Sequence, residues 1–297
     1  MKIKTKRYYL YILAVLGAVF IAAMPLKMSL WLADIVGIII FKFGKKHSDK
    51  ILENLKLAFP EKSAAEIEKI AKGVFSNICK NAVELVNTYK LRNKIPESWI
   101  EAEGFEKVKH ALSGRKGALV LASHVGNWEL IPMYFAFKGY RPAIIARRLY
   151  FDRYNDFIAG LRKSWGIEII YRDDSPRKIL KVLKENRPIG ILADQDVNSV
   201  DGVFVDFFGR SAYTPSAPVA LALVSGAPLV PCFLIRQKRG HKLVIGDPIK
   251  LVEGRDKEET IKINTQKWSK VVESHIRKYP EQWVWMHKRW KTKPKKQ

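Results

Sequence analysis

The residues best suited to chemistry lie in one short stretch, Leu121-Ala-Ser-His-Val-Gly-Asn-Trp-Glu129. In a continuous helix, five residues turn through roughly 500°, which would point His124 and Glu129 about 140° apart. The two can face each other if His124 ends a strand and Glu129 opens the following helix. A histidine supported by a carboxylate at such a junction is suited to general-base catalysis. The alternative at this spacing is a structural histidine that caps a turn.

Short apolar runs alternate with longer amphipathic segments in the middle of the chain. The predicted strands cover 117–122, 142–146, 167–171, 189–193, 228–235 and 242–245. The predicted helices cover 128–138, 154–165, 177–186, 216–225 and 260–279. This alternation indicates an α/β fold with a mainly parallel sheet flanked by helices.

Polar clusters follow three of the predicted strands, at residues 124–129, 147–148 and 194–196. Ligands of such sheets bind beyond the carboxyl ends of the strands, so we expect an active site there. The backbone N–H groups of Gly126 and Asn127 are candidate oxyanion donors. The sequence has no Walker A, GxGxxG or GxSxG motif, so we expect neither a nucleotide cofactor nor a serine nucleophile.

The chain is strongly basic, with 53 Lys and Arg against 29 Asp and Glu and a net charge of +24. This balance favours an anionic partner: nucleic acid, an anionic membrane, an acidic protein or a phosphorylated substrate. Cys79 and Cys232 are the only cysteines, with no CxxC motif or zinc-ligand cluster. The cysteine usage fits a reducing compartment.

The N-terminus combines basic and apolar sequence. A basic opening to Arg7 precedes an uncharged run over 8–24, and a second apolar run over 28–41 carries only Asp34. These features predict an uncleaved membrane anchor helix within 1–45. Crossing the bilayer once, forming a re-entrant hairpin and lying in the interface stay open as topologies.

The remaining sequence predicts one large domain over 46–290. We divide it into a helical part (46–110), an α/β core (111–250) and C-terminal helices (251–290). The helical prediction covers 45–92, with a capping box formed by Ser63 and Glu66. The basic tail 291–297 is expected to be frayed.

Several segments together resemble one family. In chain order they are Asn54-Leu-Lys-Leu-Ala-Phe-Pro60, the 124–129 motif, Leu161-Arg-Lys-Ser-Trp-Gly166, Ala193-Asp-Gln-Asp196, Phe207-Phe-Gly-Arg-Ser-Ala-Tyr-Thr-Pro215, Gly226-Ala-Pro-Leu-Val-Pro231 and Tyr279-Pro-Glu-Gln-Trp-Val-Trp-Met-His-Lys-Arg-Trp290. The ordered set resembles the late (secondary) acyltransferases of lipid A biosynthesis, within the lysophospholipid acyltransferase superfamily. The resemblance runs from the predicted anchor to Trp290 and implies a glycerolipid acyltransferase-like fold.

The resemblance implies transfer of a fatty acyl chain from acyl carrier protein to a hydroxyl on a lipid A precursor. It implies an enzyme of the inner membrane whose catalytic domain faces the cytoplasm and contacts membrane lipids. It identifies His124 as the base with Glu129, and adds Arg162 and Asp194 as catalytic residues. The chemistry requires neither cofactor nor metal, because a thioester is already a reactive electrophile.

Substrate contacts are expected from Asn127, Arg147 and Arg210. Phe207 and Phe208 either line an acyl channel or belong to the core. The tryptophans near the C-terminus suit either a membrane interface or the core; they are Trp283, Trp285 and Trp290. Alternative acceptors are another glycolipid, such as phosphatidylinositol mannoside, or a lysophospholipid. A non-catalytic basic scaffold is a further alternative, and nucleic-acid binding is disfavoured because no RNP-like or helix-turn-helix pattern is present.

Overall fold

A computed structural model describes residues 2–91, 99–174 and 176–294. The helices are α1 (Lys2–Ala23), α2 (Leu26–Phe43), α3 (Lys45–Ala58), α4 (Ala64–Asn87), α5 (Phe105–Ser113), α6 (Leu130–Phe137), α7 (Asp152–Ser164), α8 (Pro176–Lys184), α9 (Ala217–Ser225) and α10 (Lys257–Lys278). The strands are β1 (Ile100–Glu103), β2 (Ala118–Ala122), β3 (Ala143–Ala146), β4 (Glu168–Tyr171), β5 (Pro188–Leu192), β6 (Gly202–Phe207), β7 (Arg210–Pro215), β8 (Leu229–Arg236) and β9 (His241–Ile245).

Seven strands form the central sheet in the order β1-β9-β8-β2-β5-β3-β4. All neighbouring pairs are parallel except β8 with β9. Strand β2 lies at the centre, and all of its five residues are buried. A strand covered on both faces needs an unbroken apolar sequence, which explains the run Ala-Leu-Val-Leu-Ala. The predicted α/β fold with a mainly parallel sheet is confirmed.

The structure adds elements that the sequence patterns did not predict: β1, α5 and the β6–β7 pair. Strand β1 reads Ile-Glu-Ala-Glu, so its two carboxylates mask its strand character. The antiparallel β6–β7 hairpin forms a separate two-stranded sheet that packs against α10. Phe208 and Gly209 make its turn, and both have positive φ. Phe208 is a poor turn signal in sequence, because large side chains rarely adopt that conformation.

The predicted helical region after the N-terminus forms α3 and α4, followed by a short 3₁₀ turn over Thr88–Leu91. Arg92, the end of the predicted region, lies outside the described residues. The predicted capping box is confirmed: Ser63 accepts a hydrogen bond from the Glu66 backbone N–H, and Glu66 accepts one from the Ser63 backbone N–H. Two donors at the helix start are thereby satisfied.

The N-terminal segment folds as α1 and α2, which both pack against α4. Within the described residues, no helix is both long enough and apolar enough to cross a membrane. The predicted transmembrane anchor is therefore not supported. Helix α2 approaches α4 so closely that a Cβ on Gly37 would lie 2.7 Å from the Ser76 backbone nitrogen. Its one carboxylate, Asp34, faces α4 and pairs with Lys80 at 2.7 Å.

The aromatic residues of the C-terminal segment belong to the core. Trp283, Trp285 and Trp290 are buried, and they surround the equally buried Phe207 and Phe208. The core alternative is confirmed for all five side chains, and the membrane-interface alternative for the tryptophans is wrong.

The described part of the C-terminal tail is held in place. The backbone N–H and the hydroxyl of Thr292 both donate to Asp196, at 2.7 Å each. The expectation of a frayed tail is wrong at this residue, because Asp196 supplies a fixed acceptor. Residues 295–297 lie outside the described part of the chain.

Candidate active site

His124 lies two residues beyond the end of β2, at the carboxyl edge of the sheet. The segment that follows it bridges to other parts of the fold: Val125 pairs with Trp283, and Gly126 pairs with Leu234 of β8. Helix α6 then starts at Leu130. The strand-to-helix junction predicted around His124 is confirmed.

Asp194, after β5, holds the imidazole. Its carboxylate lies 2.7 Å from His124 Nδ1 and accepts the His124 backbone N–H at 2.7 Å. The indole N–H of Trp283 donates to the same carboxylate at 2.8 Å. Burial opposes ionisation, but the imidazole, the indole N–H and the backbone N–H outweigh it and lower the pKa of Asp194 to about 2.

The ionised state of Asp194 determines which nitrogen of His124 carries the proton. A carboxylate can only accept hydrogen bonds, so Nδ1 must be the protonated nitrogen of the neutral ring. The lone pair of Nε2 is then available as a base. This is the tautomer that general-base catalysis by Nε2 requires.

The imidazole nitrogens of His124 have Asp194 and Gln195 as hydrogen-bond partners and not Glu129, so the predicted pairing of His124 with Glu129 is wrong. Glu129 instead accepts two hydrogen bonds from Arg162 of α7, at 3.0 Å from Nε and 2.7 Å from a terminal nitrogen. The physical reason is that Asp194 already occupies Nδ1 and has its orientation fixed by Trp283. This bidentate ion pair is the Glu129–Arg162 fork. Both of its side chains are largely shielded from solvent and line the same cavity as His124.

The backbone donors predicted from the Gly126-Asn127 turn are already engaged. Gly126 N–H donates to the Gln282 carbonyl at 2.9 Å, and Asn127 N–H donates to the Leu234 carbonyl at 2.9 Å. The prediction that these groups form the oxyanion hole is therefore wrong. Glycine is required at 126, where φ is +66° and a Cβ would lie 1.8 Å from the Leu234 oxygen.

Asn127 is fully buried and points away from the cavity, which corrects its predicted role in substrate binding. Its side-chain N–H donates to Glu84 of α4 at 2.7 Å. Arg236 donates to both oxygens of Glu84, and His241 Nε2 lies 2.9 Å from one of them. Asn81, one turn before Glu84, donates to the Gly126 carbonyl at 2.6 Å.

This buried network fixes the turn after His124 from behind. Burial opposes ionisation of Glu84, but His241 and Arg236 outweigh it and lower the pKa of Glu84 to about 2. The paired charges connect α4, β8 and β9 to the catalytic turn. The position of His124 therefore depends on residues far from it in sequence, none of which the sequence patterns predict.

A cavity of about 460 Å³ opens beside His124, a volume typical of small-molecule sites. Its apolar lining comes from β2, β3, β5, α6 and α7 and includes Val120, Ile131, Phe135, Ile144, Ile158 and Leu192. Its polar lining includes His124, Glu129, Arg147, Arg162, Arg172 and Gln195. The described residues contain no group of three or more His, Cys, Asp or Glu side chains able to hold a metal ion.

Of the three arginines predicted at the site, two line the cavity and one does not. Arg147 and Arg162 line it, together with Arg172, which was not predicted. Arg147 and Arg172 directly follow paired positions at the ends of β3 and β4, so they are neighbours at the sheet edge. Arg210 is not part of the cavity lining; it is exposed and donates to the Leu57 carbonyl at 3.3 Å. Its predicted contact with substrate is therefore not supported.

Gln195 is a further residue at the site that the sequence did not single out, although it lies within the polar 194–196 cluster. Its side-chain nitrogen is 3.0 Å from His124 Nε2. Trp128 and His287 pack against the imidazole, with ring centroids at 4.9 Å and 5.7 Å. Burial lowers the pKa of His287 to about 4, with a smaller contribution from His124, so His287 is neutral at pH 7.

Comparisons with known proteins match the chain to one family. Residues 1–292 match the family described as bacterial lipid A biosynthesis acyltransferase. The chain is 28% identical over 297 residues to the lipid A biosynthesis lauroyltransferase of Escherichia coli (strain K12), covering 97% of this chain and 93% of the relative.

Two further relatives differ in the acceptor or acyl group that their names give. The lipid A biosynthesis myristoyltransferase of Escherichia coli (strain K12) is 26% identical over 293 residues, which is 97% of this chain and 88% of the relative. The phosphatidylinositol mannoside acyltransferase of Mycolicibacterium smegmatis (strain ATCC 700084 / mc(2)155) is 28% identical over 185 residues, covering 61% of this chain and 59% of the relative.

Proposed function

Because the chain belongs to the bacterial lipid A biosynthesis acyltransferase family, we propose that it transfers a fatty acyl group from acyl carrier protein to a hydroxyl of a lipid A precursor. The observation that carries this proposal is the arrangement of His124. An ionised, buried Asp194 holds the imidazole in the tautomer with the proton on Nδ1 and a basic Nε2, beside a largely apolar cavity.

The base acts directly on the acceptor in the proposed mechanism. His124 Nε2 takes the hydroxyl proton as the oxygen attacks the thioester carbonyl carbon. The tetrahedral intermediate collapses with cleavage of the C–S bond, and Nε2–H returns the proton to the departing sulfur. Asp194 stays ionised throughout and stabilises the imidazolium, so an alcohol and a thioester become an ester and a thiol.

Arg162 is proposed to stabilise the oxyanion in place of the turn N–H groups. A guanidinium carries five N–H donors, and the fork to Glu129 uses two of them. The fork fixes the plane of the guanidinium, so its remaining donors need no reorganisation as charge develops in the cavity. Glu129 thereby acts through Arg162 and not through the imidazole.

The cavity is proposed to hold the acyl chain, with its apolar lining replacing water around the methylenes. Arg147 and Arg172 are proposed to bind a phosphate of the acceptor. Their adjacent positions at the ends of β3 and β4 place two cations beside the cavity. Paired guanidinium groups suit phosphate recognition because their donors match its oxygens.

The N-terminal helices are proposed to bind the surface of the inner membrane, with the catalytic domain on the cytoplasmic side. Large apolar side chains on α1 and α2 are exposed, among them Leu13, Leu16, Val19, Phe20, Trp31, Ile38 and Phe43. An exposed apolar surface of this extent indicates an interaction site, and basic residues flank it.

Vesicle flotation tests the membrane proposal with a matched pair of exposed valines. Val19→Glu places a charge on α1, and Val224→Glu places the same charge on α9. We expect Val19→Glu to weaken binding to anionic vesicles by roughly tenfold, and Val224→Glu to leave it unchanged. Equal binding by both variants would contradict a role for α1.

A panel of acceptors tests the proposed function. The purified protein is incubated with acyl-acyl carrier protein and one acceptor at a time: a phosphorylated glucosamine-disaccharide lipid, a phosphatidylinositol mannoside or a lysophospholipid. We expect the glucosamine-disaccharide lipid to gain one acyl group by mass spectrometry. Preference for either other acceptor would reject the lipid A assignment, and no transfer to any of them would favour the non-catalytic alternative.

A further inference from the structure

Both ring nitrogens of His124 have polar partners, supplied by consecutive residues. Asp194 occupies Nδ1 at 2.7 Å, and the Gln195 side-chain nitrogen occupies Nε2 at 3.0 Å. Because Asp194 is ionised, Nδ1 carries the proton and Nε2 presents a lone pair. The Gln195 amide is therefore the donor to Nε2, and the basic nitrogen is hydrogen-bonded within the protein.

The rest of the ring is enclosed as well. Trp128 contacts it edge-on, and His287 lies against it at a tilted angle. Only 17% of the His124 side chain is exposed. A hydroxyl that gives its proton to Nε2 must take the place of the Gln195 amide.

We propose that Gln195 is a displaceable cap on the catalytic base, which the acceptor hydroxyl replaces and which limits thioester hydrolysis by water when no acceptor is bound. This inference rests on the proposed acyl transfer. Water must compete with a tethered donor for Nε2, whereas a bound acceptor is held in place by its other contacts. The hydroxyl then attacks the thioester, its proton moves to Nε2, and Nε2–H protonates the leaving sulfur.

Replacing the neutral Gln195 amide with a carboxylate should change the protonation of His124, an effect that a purely structural contact would not produce. A carboxylate at this position would accept a hydrogen bond from Nε2–H and would favour the imidazolium, in which both nitrogens donate. The other titratable groups against the imidazole are Asp194 and His287, and the Glu129–Arg162 fork lines the same cavity. Between pH 5 and 9, Asp194 stays ionised and His287 stays neutral, because their pKa values are about 2 and about 4.

Carbethoxylation of histidines by diethyl pyrocarbonate tests the cap without any acyl substrate. The reagent attacks unprotonated imidazole nitrogen, and peptide mass spectrometry resolves the rate at each histidine. In the full-length protein, Gln195→Met keeps the side-chain length but removes the donor. We expect His124 to react roughly fivefold faster in this variant, the factor that loss of about one neutral hydrogen bond implies. Exposed His110 serves as the internal control and should react at an unchanged rate.

Gln195→Glu gives the second arm of the same experiment. We expect the pH of half-maximal His124 reactivity to rise by about one unit or more, as a carboxylate within hydrogen-bonding distance favours the charged ring. Thermal melting checks that both near-isosteric variants are folded. Unchanged His124 reactivity in Gln195→Met, or an unchanged pH midpoint in Gln195→Glu, would overturn the proposal that Gln195 covers Nε2.

The functional arm measures hydrolysis and transfer from acyl-acyl carrier protein, with and without acceptor. The Gln195→Met variant should raise the ratio of hydrolysis to transfer roughly fivefold. A ratio equal to that of the wild type would overturn the proposal. Failure of the proposed function can be distinguished from failure of the cap. If the proposed function is wrong, the wild type acylates no glycolipid, whereas the carbethoxylation rates still show whether Gln195 covers Nε2.

Discussion

Asp194→Asn should remove the support of the catalytic base and part of the stability of the fold. The Asp194 side chain is 1% exposed and accepts three hydrogen bonds, two from His124 and one from Trp283. Its pKa falls from 3.8 to about 2, a difference that corresponds to about 2 kcal/mol of unfolding free energy at pH 7. The folded-state pKa is lowered, so this stability is present above pH 4 and is lost as the pH falls towards 2.

The same substitution should reverse the imidazole tautomer. An asparagine whose oxygen accepts from the His124 backbone N–H and from Trp283 turns its NH₂ group towards Nδ1. The ring proton then moves to Nε2, which no longer has a lone pair for the acceptor. We expect kcat to fall by about 10²–10⁴, with a smaller effect on KM.

Denaturant unfolding and steady-state acyl transfer measure the two effects. Asp196→Asn is the matched control, because it removes a neighbouring carboxylate whose described contacts go to Thr292. We expect this control to keep kcat within a few-fold of the wild type. Near-normal kcat in Asp194→Asn, or an unfolding free energy within about 0.5 kcal/mol of the wild type at pH 7, would refute the account of Asp194.

Three further predictions follow from the other charged groups. Glu129→Gln weakens the fork to Arg162 and should lower kcat about 10²-fold while leaving the donor KM nearly unchanged; a rise in KM alone would assign the fork to binding. Glu84→Gln should lower the unfolding free energy at pH 7 by about 3 kcal/mol, because folding lowers the pKa of Glu84 from 4.5 to about 2. In the wild type, this stability should be lost as the pH falls from 4.5 to about 2. Equal denaturation midpoints for mutant and wild type at pH 7 would contradict this prediction. Raising salt from about 0.05 to about 0.5 M should raise the KM for acyl carrier protein, an acidic donor, and a flat KM would contradict an electrostatic role for the charge of +24.

The sequence predicts the elements whose patterns are strong and local. The six predicted strands and five predicted helices of the central region are present within a few residues, because buried parallel strands and amphipathic helices have distinct periodicities. Strand β1 is missed because it has only four residues, of which Glu and Ala have low β propensity, and because its partner β9 lies about 140 residues away in sequence.

The site is predictable in its residue types but not in its pairings. His124 and Asp194 each follow a predicted parallel strand, so the sequence places both at the carboxyl edge of the sheet, with Glu129 nearby. Sequence spacing cannot determine which carboxylate reaches the imidazole, because that depends on β2 and β5 being neighbours in the sheet. The burial of Asn127 against Glu84 likewise depends on where α4 packs.

The most direct test of the central claim is the mass of the glycolipid product made by the wild type and by His124→Ala, side by side. The wild type should add one acyl group to the phosphorylated glucosamine-disaccharide acceptor, and His124→Ala should do so about 10²–10⁴ times more slowly while remaining folded. His110→Ala, which alters an exposed histidine, should match the wild type. Near-normal product formation by His124→Ala would contradict the assignment of His124 as the base.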